Sequence, residues 1–188
     1  MDNRANILHQ ALKLFATRGY DAVGVQEICD TAEITKPTLY HYFGSKRGLM
    51  EALVNEGCAV FMTELASTIA YSGDLPLNLQ KVVSAFFGFA TREPTLYRLL
   101  LALWFSPPSN EAFGVVAALH EKQEKMVVEM FARASDDHGN MRGRERAYAA
   151  TFIGMINTYI GLALNNYLEL KEAIIYQAVK QFSYGIYS

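Results

Sequence analysis

The segment from Ile34 to Lys46 reads ITKPTLYHYFGSK and brings hydroxyl, imidazole and ammonium groups together in a short stretch of chain. Leu39 and Phe43 are four residues apart, so on a helix they share one face and would anchor the helix to a core. Hydroxyl and imidazole groups can bond base edges and phosphates, and lysines neutralise phosphates. The pattern favours a helix that presents polar groups to a DNA groove. The positions that point away from the core are Pro37, Thr38, Tyr40 and His41.

The same segment has a second interpretation, because Tyr40, Tyr42 and Phe43 place three aromatic rings within four residues. Aromatic clusters commonly pack against a neighbouring helix. A helix start is indicated in either case, since the Thr35 hydroxyl can cap the first turn and Pro37 is tolerated there without a backbone donor. Spacing alone leaves both interpretations open.

Two helices before this segment must position it. Residues 7–15 carry apolar side chains at helical spacing, and Gly19 supplies a left-handed stop. A short helix is predicted from Val25 to Ala32, and the next from Lys36 to Phe43. Two helices joined by so few residues must cross steeply, as in a helix-turn-helix.

From residue 46 onward the apolar pattern predicts long helices and no strand, with breaks at runs of Gly, Pro, Asn and Asp. The expected fold class is all-α with about nine helices. A three-helix domain is expected at 1–46 and a larger helical bundle at 47–188. The predicted helices of the bundle span 46–71, 77–92, 94–105, 110–135, 144–168 and 170–187.

The composition is that of a compact globular chain. Of the 188 residues, 51% are hydrophobic and 19% are charged, which excludes a disordered chain. The net charge is −2, but residues 1–50 hold six basic and five acidic side chains, so this end carries +1 and the remainder −3. The asymmetry gives weak support to DNA binding at the N-terminal end.

Catalysis, the first alternative class of function, has no support in the sequence. Cys29 and Cys58 lie in apolar helical patterns and read as small buried side chains, with a redox-sensing role as the alternative. The four histidines show no metal-ligand pairing, and neither GxSxG nor a Gly-rich phosphate loop occurs. We expect no metal, no cofactor and no catalytic residue. No signal peptide is apparent, so we expect a cytoplasmic protein.

Residues 147–168 contain no charged side chain and are long enough to span a bilayer. Polar residues such as Thr151 and Asn165, and the lack of aromatic and basic anchors on both sides, argue against a membrane span. A helix buried in a subunit interface is favoured instead. The small residues that would let another helix approach closely are Ala150, Gly154, Asn157 and Gly161.

Residues 4–53 resemble the TetR family of repressors. The matching elements occur in order: LFATRGYDAV, VQEIC, ITKPTLYHYFGSK and GLMEAL. The resemblance implies an all-α homodimer in which an N-terminal DNA-binding domain, 1–46, precedes an effector-binding and dimerisation domain, 47–188. It implies DNA contacts from Gln26, Thr35, Lys36, Thr38, Tyr40, His41, Tyr42 and Lys46, and less firmly from Arg4, while the apolar surface of Pro37 suits thymine methyl groups.

Two residues depart from the family pattern. Glu33 stands where the family usually has Gly in the turn, so we expect a left-handed backbone at a cost of about 1 kcal/mol or a reshaped turn. Gly24 stands where Ser or Thr usually caps the second helix, which weakens that cap by about a few tenths of a kcal/mol.

Beyond residue 54 the resemblance is one of general shape, and it implies a cavity for a hydrophobic or aromatic effector. Ordinary core packing is the alternative for most of the large apolar side chains there. The predicted pocket residues are Phe61, Phe86, Phe89, Trp104, Phe105, His120, Met155 and Tyr159. The predicted dimer contacts from the last two helices are Ala150, Gly154, Asn157, Gly161, Ile174, Ala178 and Phe182.

The mechanism that the resemblance implies is repression of a palindromic operator by a dimer, relieved when the effector moves the helix that begins near Lys46. The alternative is a DNA-binding regulator of the same type that no small molecule controls. Such a regulator would be controlled by a protein partner or would act constitutively.

Overall fold

The computed structural model describes residues 3–185, without the side chain of Asn140. Across these residues the chain forms ten α-helices and one short 3-10 helix, with no strand. The all-α prediction is confirmed, with one helix more than expected. The helices are α1 (Asn3–Arg18), α2 (Val25–Thr31), α3 (Lys36–Phe43), α4 (Lys46–Gly57), α5 (Ala59–Thr68), α6 (Leu75–Arg92), α7 (Pro94–Trp104), α8 (Glu111–Ala134), α9 (Glu145–Leu164) and α10 (Glu172–Tyr184), and the 3-10 helix is η1 (Gly139–Met141).

The helices form two compact units. The first holds the chain up to Ala59 together with Thr95–Leu119, and the second holds Val60–Pro94 together with the chain from His120 onward. Helix α8 therefore begins in the first unit and ends in the second. These units differ from the predicted functional division at residues 46 and 47, which stays a prediction.

The prediction of one helix over 46–71 is wrong, because the helix breaks at Cys58. Gly57 is a poor helix former, and a Cβ atom added to it would collide with the Leu96 side chain. The absence of a Cβ atom at Gly57 thus lets the Leu96 side chain of α7 approach the chain closely. The second half of the predicted helix is α5, which ends at Thr68 rather than residue 71.

Three other predicted ends move for local reasons. Helix α6 begins at Leu75 because the Asp74 side chain accepts a hydrogen bond from the Leu77 N–H, at 2.9 Å. Helix α9 ends at Leu164, before Asn166 takes a left-handed φ of 61°. Helix α10 spans Glu172–Tyr184 instead of 170–187, and residues 186 and 187 of that prediction lie outside the described range.

The first unit is built on a core that four helices share. Ile7, Ala11 and Phe15 line one face of α1, spaced four residues apart, and all three are buried. The amide of Asn6 donates to the Ala32 carbonyl at 2.9 Å and so ties α1 to the end of α2. Further buried side chains come from α2, α3 and α4: Ile28, Cys29, Leu39, Phe43, Leu49, Met50, Leu53 and Val54.

The second unit has an aromatic core. Phe131 of α8 packs against Phe152 of α9 and Phe182 of α10, with ring centroids 6.1 and 6.0 Å apart. Helix α6 contacts both α9 and α10. Ion pairs on the surface of this unit join Arg92 to Glu64, and Arg146 to Glu124.

Helix α9 is apolar beyond its buried face. Its buried residues Ala149, Phe152, Ile153, Ile156 and Ile160 form one stripe. Within the described chain it is the one helix long and apolar enough to cross a membrane, yet only 28% of its most apolar window, of mean hydropathy 1.4, is buried. A large uncharged surface of α9 is therefore exposed in the single chain.

Candidate nucleic-acid interface

Helices α2 and α3 form the predicted helix-turn-helix. The turn between them carries Glu33 at φ 54°, so the expected left-handed backbone at a non-glycine residue is confirmed. The turn is closed by backbone hydrogen bonds from Glu33 N–H to the Asp30 carbonyl and from Ile34 N–H to the Cys29 carbonyl, at 3.3 and 3.0 Å. Helix α3 then buries Leu39 and Phe43 against the core, as their spacing predicts.

The start of α3 differs from the expected cap. Thr35 does occupy the N-cap position, but its hydroxyl makes no hydrogen bond to a backbone N–H. The Thr35 hydroxyl instead lies 3.0 Å from the Thr38 hydroxyl, three residues on, and one of the two donates a hydrogen bond to the other. Pro37 lies in the first turn as predicted. The free amides of this turn are therefore left to solvent or to an anionic group such as a DNA phosphate.

The outer face of α3 is exposed and rich in hydrogen-bonding side chains. Tyr40 and Tyr42 are 46% and 38% exposed, and His41 between them is exposed too. The rings of His41 and Tyr42 meet edge to face at a centroid separation of 5.5 Å. Since the rings lie on the solvent side, the packing interpretation of this aromatic cluster holds for Phe43 but not for Tyr40 or Tyr42.

Lys36 is the exposed cation of this face. Of the acidic side chains that the structure describes, none lies within ion-pair distance of its ammonium, so a phosphate would meet a charge that is not already neutralised. Arg47, which the sequence analysis did not single out, is also exposed and pairs with Glu51 at 2.9 Å, one turn along α4. Its position directly after Lys46 at the head of α4 is the sequence signal that identifies it.

Lys46 is placed differently from the other predicted contacts. Its ammonium donates to the Tyr20 carbonyl at 2.5 Å and lies 4.0 Å from the centre of the Tyr20 ring. Burial lowers the pKa of the Lys46 ammonium, and the carboxylates of Asp21 and Glu111 partly oppose that shift. Contact between Lys46 and a phosphate would require the ammonium to leave the Tyr20 carbonyl.

Gln26 and Arg4 already have partners within the chain. The Gln26 amide donates to the Asp30 carboxylate at 2.7 Å along the exposed side of α2. Arg4 forms a bidentate pair with Glu56, at 2.7 and 2.5 Å, and its guanidinium lies 5.3 Å from the centre of the Phe43 ring. Arg4 thus links α1 to α4, behind the helix that carries the exposed aromatic face.

The residues predicted for an effector pocket do not form one group. Phe61 stacks on Phe89 and meets Phe86 edge to face, with centroids 4.6 and 4.8 Å apart, so these three rings fill the space between themselves. Trp104 belongs to the first unit, where it stacks on Phe113 at 6.1 Å.

The other predicted pocket residues are scattered. Phe105 is 80% exposed. His120 is half-buried, and burial lowers the pKa of its imidazole although Glu124 opposes the shift. The Tyr159 hydroxyl donates to Gln181 at 3.1 Å. Met155 lines a groove of about 530 Å³ on α9 and α10.

A second cavity in the same unit has a mostly apolar wall. It measures about 340 Å³ and lies where α6 begins and α8 and α10 end. Its polar side chains are His138, Ser183 and the hydroxyls of two tyrosines. It is lined by Leu75, Pro76, Leu79, Phe131, His138, Met141, Tyr148, Phe182, Ser183 and Tyr184.

The residues predicted for a dimer contact divide into two sets. Ala178 is fully buried within the unit, and Phe182 packs on Phe152 at 4.8 Å. Ala150 and Gly154 are exposed on α9, while Asn157, Gly161 and Ile174 are half-buried. A Cβ atom added to either glycine meets nothing within 4 Å. The fold of the single chain therefore does not itself require these two glycines.

Comparison with known proteins agrees with this geometry. Residues 7–53 match the family model for bacterial regulatory proteins of the tetR family. The HTH-type transcriptional activator FasR of Mycolicibacterium smegmatis is 27% identical over 184 residues, 98% of this chain and 82% of FasR. The matched residues contain all of α2 and α3 and every predicted DNA contact except Arg4.

Solved structures show the same fold over the whole chain. FadR of Bacillus subtilis, solved in complex with stearoyl-CoA, aligns with a TM-score of 0.80 at 18% identity and covers 97% of this chain and 99% of FadR. The fatty acid degradation regulator FadR of Bacillus halodurans aligns with a TM-score of 0.79 at 16% identity, over 100% and 97% of the two chains. Residues 7–53 therefore carry the DNA-binding helix-turn-helix of the tetR family of bacterial regulatory proteins.

Proposed function

We propose that this regulator binds an inverted-repeat operator as a homodimer, reads it with α3, and leaves it when a hydrophobic effector binds, so that the effector relieves repression. One observation carries the DNA-reading part. Helix α3 buries Leu39 and Phe43 and turns Tyr40, His41 and Tyr42 to solvent. Such a face supplies donors and acceptors for base edges and phosphates in a major groove. We infer a cytoplasmic location from the same role, since the operator lies there.

The uncharged surface of α9 supports the proposed dimer. An apolar helix with only 28% of its window buried needs a further partner, and the stripe Ala150, Gly154 and Gly161 allows a second helix to come close. A second copy of α9 has the same small-residue stripe and would bury it by two-fold symmetry. Two α3 helices then contact successive major grooves, about 34–36 Å apart. A bilayer is the other partner that an exposed apolar helix suits, but membrane insertion would require burying the polar groups of Thr151, Thr158 and Asn165 in hydrocarbon.

We propose the cavity of about 340 Å³, whose wall includes Leu79, Phe131 and Met141, as the effector site. This volume lies within the range of about 300–1,000 Å³ that ligand pockets occupy. The apolar side chains of this wall suit a long acyl chain, and its polar end would meet His138 or Ser183. Stearoyl-CoA is the first compound to test because FadR of Bacillus subtilis was solved with it.

The DNA-reading proposal is tested by fluorescence anisotropy with labelled duplex from upstream of the gene, against a scrambled duplex, at two salt concentrations. The wild-type protein should prefer the upstream duplex, and Thr38→Ala/His41→Ala should lose that preference. Each base contact contributes about 1–3 kcal/mol of discrimination. Thr91→Ala, which removes an exposed hydroxyl from α6, is the control and should bind as wild type. Equal binding of both duplexes by the wild type, repeated after unbiased operator selection, would refute α3 as a sequence reader.

Effector control is tested by adding stearoyl-CoA, below the concentration at which it forms micelles, to the complex with DNA. We expect the anisotropy to fall, and we expect Leu79→Trp, which fills the cavity, to weaken that release while operator binding persists. Val60→Trp places the same ring at an exposed site on α5 and is the control. Free coenzyme A should release nothing. If acyl-CoA releases no DNA, a regulator without small-molecule control is favoured. The closely packed rings of Phe61, Phe86 and Phe89, which leave no cavity between them, support the same alternative.

The direction of regulation is tested by transcription in vitro from the bound promoter. Repression predicts less transcript with the protein and recovery with the effector. A rise in transcript on adding the protein would instead make it an activator, as FasR is named.

A further inference from the structure

A small polar network joins three separated parts of the first unit. Tyr20 lies in the turn between α1 and α2 and is only 2% exposed, and its hydroxyl donates to the Glu111 carboxylate at 2.5 Å. Glu111 is the first residue of α8 and lies 91 positions further along the chain. Burial, followed by the hydrogen bond to Glu111, raises the pKa of the Tyr20 phenol, so the phenol keeps the proton that it donates.

A second bond runs parallel to the first. The Asn110 amide donates to the Asp21 carboxylate at 2.7 Å. The oxygen of the same amide accepts the Ala112 N–H at 2.8 Å, and so it caps the first turn of α8. Asn110 and Glu111, at the head of α8, are thus hydrogen-bonded to Asp21 and Tyr20 in the turn between α1 and α2. The two hydrogen bonds are neighbours in space, although no short sequence pattern links the residues that form them.

Lys46 completes the network from α4. Its ammonium bonds the Tyr20 carbonyl at 2.5 Å and lies over the ring of the same residue. The ring of Tyr20 in turn packs on Phe15, with centroids 5.1 Å apart. The turn that precedes α2 is therefore bonded to the head of α4 on one side and to the head of α8 on the other.

We propose that four positioning residues hold the helix-turn-helix in a fixed position relative to the head of α8, so that a displacement of one displaces the other. These residues are Tyr20, Asp21, Asn110 and Glu111. None of the four lies on the exposed face of α3, and each acts through the elements it joins. Helix α8 continues to Ala134 and carries Phe131, a wall of the cavity of about 340 Å³. The network thus gives α8 a direct bond to the DNA-reading elements, separate from the peptide chain through α4. The proposal rests on the DNA binding proposed above.

Trp104 offers a way to observe this connection. It is the one tryptophan of the chain, and it stacks on Phe113, two residues beyond the network in α8, with an interplanar angle of 17°. Indole emission responds to the polarity and packing around the ring. Emission excited at 295 nm, where DNA does not absorb, therefore reports on the head of α8 while anisotropy of a labelled duplex reports on binding.

The experiment titrates the full-length protein with its operator and records both signals. Wild type should change its Trp104 emission in proportion to the DNA bound. In Tyr20→Phe/Asp21→Ala both hydrogen bonds to the head of α8 are removed, while the ring at position 20, its contact with Phe15 and the carbonyl that Lys46 bonds are retained. This variant should still bind, with Kd raised roughly 2- to 30-fold, but its Trp104 emission should stay constant. Tyr71→Phe breaks another tyrosine–carboxylate bond, to Asp137 at 2.7 Å in the second unit, and should behave as wild type.

Two results would overturn the positioning role once DNA binding is seen. One is a Trp104 response in the double variant equal to that of wild type at saturation. The other is constant Trp104 emission in wild type at saturation. Absence of any rise in anisotropy, for wild type as well, would refute the proposed DNA binding itself and the positioning role with it, and it is recognised by the anisotropy signal alone.

Discussion

Tyr40 and Tyr42 hold ring surface in water beside His41, on a helix whose opposite side is buried. Apolar surface in water is unfavourable by about 25 cal/mol per Å². Contact with DNA would remove part of this surface from water, and the tyrosine hydroxyls and the imidazole would exchange water for base or phosphate partners. At the scale of the residue, the exposed face of α3 combines an apolar and a polar contribution to binding.

Lys36 is expected to contribute through charge alone. Removing the ammonium in Lys36→Ala should weaken binding to operator and scrambled duplex by a similar factor and lower the slope of log Kd against log salt by about 1. Lys81→Ala removes an exposed ammonium from α6 and should leave the slope unchanged. Anisotropy titrations at four salt concentrations measure both. A loss confined to the operator duplex would show instead that Lys36 reads a base.

Glu33 holds a left-handed backbone that glycine would adopt without strain. We expect Glu33→Gly to raise the free energy of unfolding by about 0.5–1 kcal/mol, since relief of the strained φ exceeds the added freedom of the unfolded chain. Asn166→Gly, at φ 61°, is the comparison and should gain less because asparagine tolerates this region. Urea unfolding followed by circular dichroism measures both. A lower midpoint for Glu33→Gly would assign the Glu33 side chain a stabilising contact.

At the scale of the element, the junction between α3 and α4 fixes the angle at which α3 is presented. Gly44 ends α3 at φ 70°, and its N–H bonds the Tyr40 carbonyl at 2.9 Å. The Ser45 hydroxyl caps α4 by accepting the Gly48 N–H, at 2.9 Å. A Cβ atom on Gly48 would run into the carbonyl of Phe43, the last residue of α3.

Gly48→Ala should therefore force α3 and α4 apart. We expect a loss of about 1–3 kcal/mol in the free energy of unfolding and a weaker operator complex. Gly114→Ala is the matched control within α8, since a Cβ atom there meets nothing within 4 Å and alanine favours the helix by about 1 kcal/mol. Thermal unfolding of the two variants compares them. Equal midpoints would mean that the junction relaxes without cost.

What the sequence predicts well is local. The bounds of α3 follow from Pro37 and from the spacing of Leu39 and Phe43, all within the eight residues of the helix. The close approach of the Leu96 side chain to Gly57 joins two different helices, and no local pattern predicts it. Likewise the place of Lys46 depends on Tyr20, and the place of Tyr20 on Glu111. Residue types could thus predict the exposed face of α3, but not which lysine and arginine side chains already bond other groups of the chain.

At the scale of the whole molecule, the proposed dimer depends on the open space beside Gly154 and Gly161. Gly161→Arg should give a monomer, because an unpaired charge buried at the interface is unfavourable by about 3–5 kcal/mol. Gly114→Arg, at an exposed site of α8 with open space, is the control and should stay dimeric. Sedimentation velocity at micromolar concentration separates the two. A dimer formed by Gly161→Arg would place the interface elsewhere, and pelleting of wild type with lipid vesicles would favour the membrane alternative.

The uncharged surface of α9 also bears on whether subunits of this regulator pair with subunits of related regulators in the same cell. A bacterium that holds several regulators of one fold has to keep their subunits from mixing. On the proposed interface no charge after Arg146 distinguishes one α9 from another, so recognition between subunits rests on the depth and spacing of the small-residue stripe. After a gene duplication, one bulky substitution at Gly154 or Gly161, balanced by one on the facing helix, would therefore create a new, exclusive pair without disturbing either chain's own core.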